Sequence, residues 1–183
     1  PYKDVTMKFD KDFDVCDLGY MTCVTKLTVS GLKDCSLTIP STVVHLELVE
    51  GSRSVKVSGS ENLTSLIVTG PDNSINPCGK LQEFRWSGKL FCANALGFPI
   101  NEATALSALC IDAHTIKYKK QLPPILKRLE LTLHGEPFKL EHLKQLKHLQ
   151  ELSIDLEMNP DPLDLSFLTT LTELETNSHT IAS

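Results

Sequence analysis

The sequence predicts an α/β solenoid: a coil of short repeats with a parallel sheet along one face, strand-like returns in the N-terminal half and short helices in the C-terminal half. Three observations lead there. A phrase of the form apolar, two variable residues, apolar, one variable residue, apolar recurs eight times. The segments between its early copies alternate with period two, and a later one carries apolar residues near helical spacing.

The chain opens on an alternating strand, Val5-Thr6-Met7-Lys8-Phe9, which supplies a first turn of the coil. The phrase then begins at Val24, Val43, Leu63, Leu81, Leu106, Leu126, Leu149 and Leu171. Its middle apolar residues stand at 27, 46, 66, 84, 109, 129, 152 and 174, in steps of 19, 20, 18, 25, 20, 23 and 22. Steps of this size suit one strand-and-return unit each. The last two apolar residues of the phrase share one face of a strand, and the first turns inward just before it. No unit can bury that apolar edge alone, so each stacks on the next at about 4.8 Å.

Ser36-Leu37-Thr38-Ile39 and Ser54-Val55-Lys56-Val57-Ser58 alternate, which predicts extended returns. Between 138 and 149, Phe138, Leu140, Leu143, Leu146 and Leu149 are separated by lysines, histidines and a glutamate, which predicts a short amphipathic helix. Pro160-Asp161-Pro162 delays the next return, where Leu163, Leu165, Phe167 and Leu168 suit a helical or 3₁₀ turn. The whole of 1–183 reads as a single solenoid of eight to nine repeats, cut from a longer chain.

Composition narrows function by exclusion. A net charge of −5 argues against a general affinity for nucleic acid or anionic membrane, and no apolar run is long enough to span a bilayer. Six cysteines without a C-x-x-C pair make a structural zinc site a poor reading and suit buried free thiols, which favours an intracellular setting. Asn62-Leu63-Thr64 is a glycosylation sequon and points the other way. The histidines follow no metal-binding spacing, and phosphate-loop, dinucleotide and hydrolase-elbow motifs are all missing from the sequence. The sequence therefore reads as non-catalytic, with no cofactor and no metal. By register, Trp86 and Phe84 are core residues rather than binding anchors.

With these phrases in hand, positions 24 to 177 resemble the leucine-rich-repeat superfamily. Leu122-Pro123-Pro124-Ile125-Leu126 and Ile39-Pro40-Ser41-Thr42-Val43, each running into its strand, are similar to the phrasing of fungal F-box, protist and bacterial ubiquitin-ligase-effector repeat proteins. Typical members carry Asn or Cys three residues past the strand, forming a hydrogen-bonded ladder. Here those positions hold Leu32, Gly51, Pro71, Lys89, His114, His134, Glu157 and His179, so the resemblance is to an irregular, divergent member. It implies a protein-interaction module, such as the substrate-recognition part of a ubiquitin-ligase adaptor or scaffold. An extracellular recognition domain and a regulatory segment of a larger enzyme are the alternatives.

A partner would meet the outward-pointing strand residues. Towards the C-terminus these include Asp112, Glu130, Glu151, Asp155, Glu173 and Glu175 against Arg128, an acidic face suited to a basic protein or peptide. Val49 and Ile67, on adjacent earlier strands, add a small apolar contact. The lysines around 117–120 and 139–147 form a basic outer surface.

Overall fold

Seven of the eight copies of the phrase begin in a turn that the first apolar residue closes. The N–H groups of Val24, Val43, Leu63, Leu106, Leu126, Leu149 and Leu171 donate to the carbonyls three residues earlier, those of Met21, Pro40, Ser60, Ala103, Pro123, Leu146 and Leu168. The closing side chain is thereby swung into the core, and all of these except Leu171 are buried. The next two N–H groups then share one carbonyl of the preceding turn. Thr25 and Lys26 donate to Lys3, Val44 and His45 to Thr25, Thr64 and Ser65 to Val44, and the pattern runs on to Thr172 and Glu173 on Gln150. This chain of shared acceptors sets the register of every strand that follows.

The computed structural model describes residues 2–49, 52, 54–70, 74–75, 79–92, 100, 103–117, 122–134, 140–156 and 164–176. Its main sheet has nine parallel strands: β1 (Asp4–Lys8), β3 (Lys26–Ser30), β5 (His45–Val49), β7 (Ser65–Thr69), β9 (Glu83–Cys92), β10 (Ala108–Lys117), β11 (Arg128–Leu133), β12 (Glu151–Leu156) and β13 (Glu173–Thr176), side by side in that order. A second parallel sheet of four short strands, β2 (Val15–Asp17), β4 (Ser36–Thr38), β6 (Lys56–Ser58) and β8 (Ser74–Ile75), forms the returns of the first half. Behind the main sheet lies a continuous core. Leu27, Leu46, Leu66, Phe84, Leu109, Leu129 and Leu152 stack in register, beside Val29, Leu48, Val68, Trp86, Ile111, Leu131 and Ile154. Phe84 and Trp86 thus pack as core residues, and Gly88 leaves the space the indole occupies: a Cβ there would lie 2.8 Å from Trp86 Cη2.

The expected α/β character is not found. The protein is a β-solenoid, and the described residues contain no α-helix; in the region of the expected helix they form a 3₁₀ turn at Leu140–Leu143. Phe138 and Lys139, its first expected residues, lie outside the described residues, as do Pro160, Asp161, Pro162 and Leu163. The physical reason is the period. Leu140, Leu143, Leu146 and Leu149 recur every third residue, which fits three residues per turn and drifts off one face at 3.6. Leu146 N–H accordingly donates to Leu143 and Leu149 N–H to Leu146. The same three-residue step links Ile100, Ala103 and Leu106, and again Leu165, Leu168 and Leu171. Where they are described, the late returns are therefore successive tight turns. No helix among the described residues is long and apolar enough to cross a membrane.

A side-chain ladder does exist, on the side of the strand opposite to the expected Asn or Cys position. Thr42 Oγ1 donates to Val24 O at 2.7 Å and Thr170 Oγ1 to Leu149 O at 2.7 Å. One step on, Thr25, Thr64, Ser107 and Thr172 donate to the carbonyls of Lys3, Val44, Gln82 and Gln150. Thr170→Val is expected to cost about 1 kcal/mol in a denaturant titration, the net worth of one such bond.

Two corners demand glycine. Gly31, at φ 79°, would place a Cβ 2.1 Å from the Phe9 carbonyl oxygen, and Gly59, also at φ 79°, would place one 2.4 Å from that of Ile39. Backbone meets backbone at both, so nothing can swing aside. Gly31→Ala and Gly59→Ala are each expected to destabilise by about 1–3 kcal/mol, read as a lowered midpoint at constant m-value.

Candidate protein-interaction face

Register turns the outward residues of the main sheet into three columns. The first runs Asp4, Lys26, His45, Ser65, Glu83, Ala108, Arg128, Glu151, Glu173. The second runs Thr6, Thr28, Glu47, Ile67, Arg85, Cys110, Glu130, Ser153, Glu175. The third includes Lys8, Ser30 and Val49, and further on Thr69, Ser87, Asp112, Thr132 and Asp155. Parallel strands bring successive members of a column to about 4.8 Å spacing, so charges along a column interact directly.

In the first half these charges cancel locally. Glu47 accepts from Thr28 Oγ1 at 3.1 Å, lies 3.3 Å from Lys26 Nζ and 2.9 Å from His45 Nε2. The His45 contact, helped by Lys26 and Thr28 and opposed by partial burial, holds Glu47 below the usual carboxylate range. A lowered folded-state value means that this cluster's contribution to stability is present above the ordinary carboxylate pKa. It is lost as pH falls through the lowered one.

The middle of the face holds one alternating group. Glu130 Oε2 lies 3.8 Å from Arg85 and 3.9 Å from Arg128, whose Nε is 3.6 Å from Glu151 Oε2. Between Arg85 and Glu130 in the second column sits Cys110. Burial pushes its thiol up to about 11, with Glu130 adding to the rise and Arg85 opposing it. Burial also raises Cys16 and Cys35, whereas Cys23 is exposed. Iodoacetamide at mildly alkaline pH is therefore expected to label Cys23 well before Cys16, Cys35 or Cys110, by peptide mapping of the native protein.

The expected site residues do not all meet. Glu151, Glu173 and Glu175 come together with Ser153 and Arg128 around an open groove of about 220 Å³, floored by Leu129, Leu152 and Leu174. Ser153 Oγ donates to Glu175 Oε2 at 3.2 Å, and no ion-pair partner for Glu173 stands among the described residues. Glu130 is on the neighbouring strand, between its two arginines. Asp112 stands apart, accepting from Ser87 Oγ at 3.1 Å and 3.2 Å from His134 Nε2. Asp155 lies half-buried in the third column beside Thr132. Val49 and Ile67 are half-buried but occupy different columns, diagonal to each other.

Sequence reasoning did not count Arg85 or His134 among the site residues. Arg85 would have been found by reading down the second column, where it stands two strands from Glu130. The contact of His134 with Asp112 gave no signal, because His134 lies beyond the repeated phrase. On the outer side, Lys144, Lys147 and His148 are exposed, while Lys119, Lys120 and Lys139 lie outside the described residues.

No protein-family model, curated protein or solved structure matches the chain. The fold and this face are thus known from the chain's own residues. Among the described residues no group of three or more His, Cys, Asp or Glu side chains converges as a metal site would require.

Proposed function

We propose that the protein is an interaction module whose main-sheet face, over β11 to β13, receives a basic segment of a partner protein. One observation carries this reading. Glu151, Glu173 and Glu175 line a common groove in which the nearest positive group, Arg128, is already shared between Glu130 and Glu151. Such a groove keeps a surplus of negative potential, which speeds encounter with a cationic partner and selects against acidic ones.

On this reading the chain is a divergent, leucine-rich-repeat-like solenoid serving recognition in a ubiquitin-ligase adaptor or other scaffold inside the cell, without catalysis of its own. The buried thiols Cys16 and Cys35 support an intracellular setting. The extracellular alternative rests on the sequon at Asn62, whose Nδ2 donates to Ser41 O at 2.8 Å and whose Oδ1 accepts from Lys80 Nζ at 2.6 Å.

The test is affinity capture with the wild type beside a variant carrying Glu151→Lys, Glu173→Lys and Glu175→Lys, its folding verified by circular dichroism. A cationic partner held by the wild type and lost by the folded variant is expected. Undiminished capture by the variant would remove the groove from consideration and direct attention to the outer lysines.

A further inference from the structure

The first turn of the solenoid is less well covered than every turn up to β12. Val5 and Met7 occupy the register positions of Leu27 and Val29, yet they are only partly buried where those two are fully so. Phe9 is likewise partly buried, its ring packed edge-on against the half-exposed Phe13 at 5.7 Å. β1 is also the edge of the main sheet. It bonds to β3 through the Lys3 carbonyl at one end and the Phe9 N–H at the other. Alternation along a parallel strand turns the groups of Val5 and Met7 the same way, and leaves those of Asp4, Thr6 and Lys8 facing outward along the free edge.

The composition of that edge complements itself. Around Thr6, β1 reads Asp4, Val5, Thr6, Met7, Lys8. Laid antiparallel against a copy of itself and centred on Thr6, it sets Asp4 opposite Lys8, Val5 opposite Met7 and Thr6 opposite Thr6. The outward N–H and C=O groups of residues 4, 6 and 8 are then the ones that exchange hydrogen bonds, as directly opposed pairs in an antiparallel ladder require. Asp4 and Lys8 are exposed on the same sheet face, and neither has an ion-pair partner among the described residues. The opposite edge behaves differently. β13, centred on Leu174, would bring Glu173 against Glu175 of a copy, and continuing the register of β13 into β1 would set Glu173 beside Asp4. Both of those pairings repel.

We propose that β1 is a homodimer interface: it pairs antiparallel with β1 of a second copy about Thr6, joining two main sheets across a two-fold axis and covering Val5, Met7 and Phe9. An edge strand is otherwise a hazard that charges guard, but guarding alone has no need of opposite charges placed symmetrically about the centre.

Sedimentation velocity over a concentration series tests it. The wild type is expected to dimerise, and Asp4→Lys or Lys8→Asp alone to weaken the dimer by about tenfold or more. Both substitutions in one chain should restore it, because the pair is only exchanged. Thr6→Pro is a second check: it removes an outward N–H and spares the bonds to β3, so a monomer that keeps the wild-type circular-dichroism spectrum is expected. A wild type that stays monomeric overturns the proposal, and so does a dimer indifferent to the single substitutions or not rescued by the double. Protection of the Asp4, Thr6 and Lys8 amides from exchange in a monomer also overturns it, since another segment would then cover the edge.

Discussion

Replacing Phe84 with alanine is expected to lower the unfolding free energy by about 3–5 kcal/mol, the cost of deleting a fully buried aromatic ring. Phe84 is fully buried and stacks in register between Leu66 and Leu109, the one ring in a column otherwise of leucines along β3 to β12. Neighbouring turns contact only each other, so a cavity at this level weakens both interfaces of its turn and has no distant contacts to fall back on. Urea titration followed by circular dichroism measures the effect. Leu174→Ala, at a half-exposed position on the last strand, is the control and should cost well under half as much. Equal losses at the two positions would mean that the stack of turns does not carry the stability.

The second large effect concerns binding. Reversing Glu151, Glu173 and Glu175 to lysine is expected to weaken the cationic partner by about 2–4 kcal/mol, roughly 30- to 900-fold in Kd. Each reversal removes an attraction and adds a repulsion of similar size, and the three act on one groove, so their effects reinforce each other. Wild-type affinity should fall as salt rises, mostly through a slower on-rate, while the residual affinity of the variant should be nearly flat. Reversing Glu130 instead should do less, because Arg85 and Arg128 already occupy its carboxylate. If Glu130→Lys proves as damaging as the groove triple, the binding centre lies nearer β10 and β11 than the groove.

The sequence by itself determined the strands of the main sheet and their register. The phrase that repeats at Leu27, Leu46, Leu66 and onward names the buried residue of each turn from β3 to β12, because a stack of strands needs an apolar residue at the same level each time. The alternation at 36–39 and 54–58 likewise marked where β4 and β6 form. It also determined which charges face outward on one side of the sheet. Tertiary structure decided two other matters. The late returns became turns of three residues rather than helices, since a leg that must place Leu143, Leu146 and Leu149 against one flat core face is served by period three and not by 3.6. And the acidic residues were sorted into paired and unpaired ones, with Glu130 held by Arg85 across forty-five residues of chain and Glu173 left open in its groove. Only stacking sets those distances, because a charge is neutralised by what lies within a few ångströms of it and not by what adjoins it in sequence.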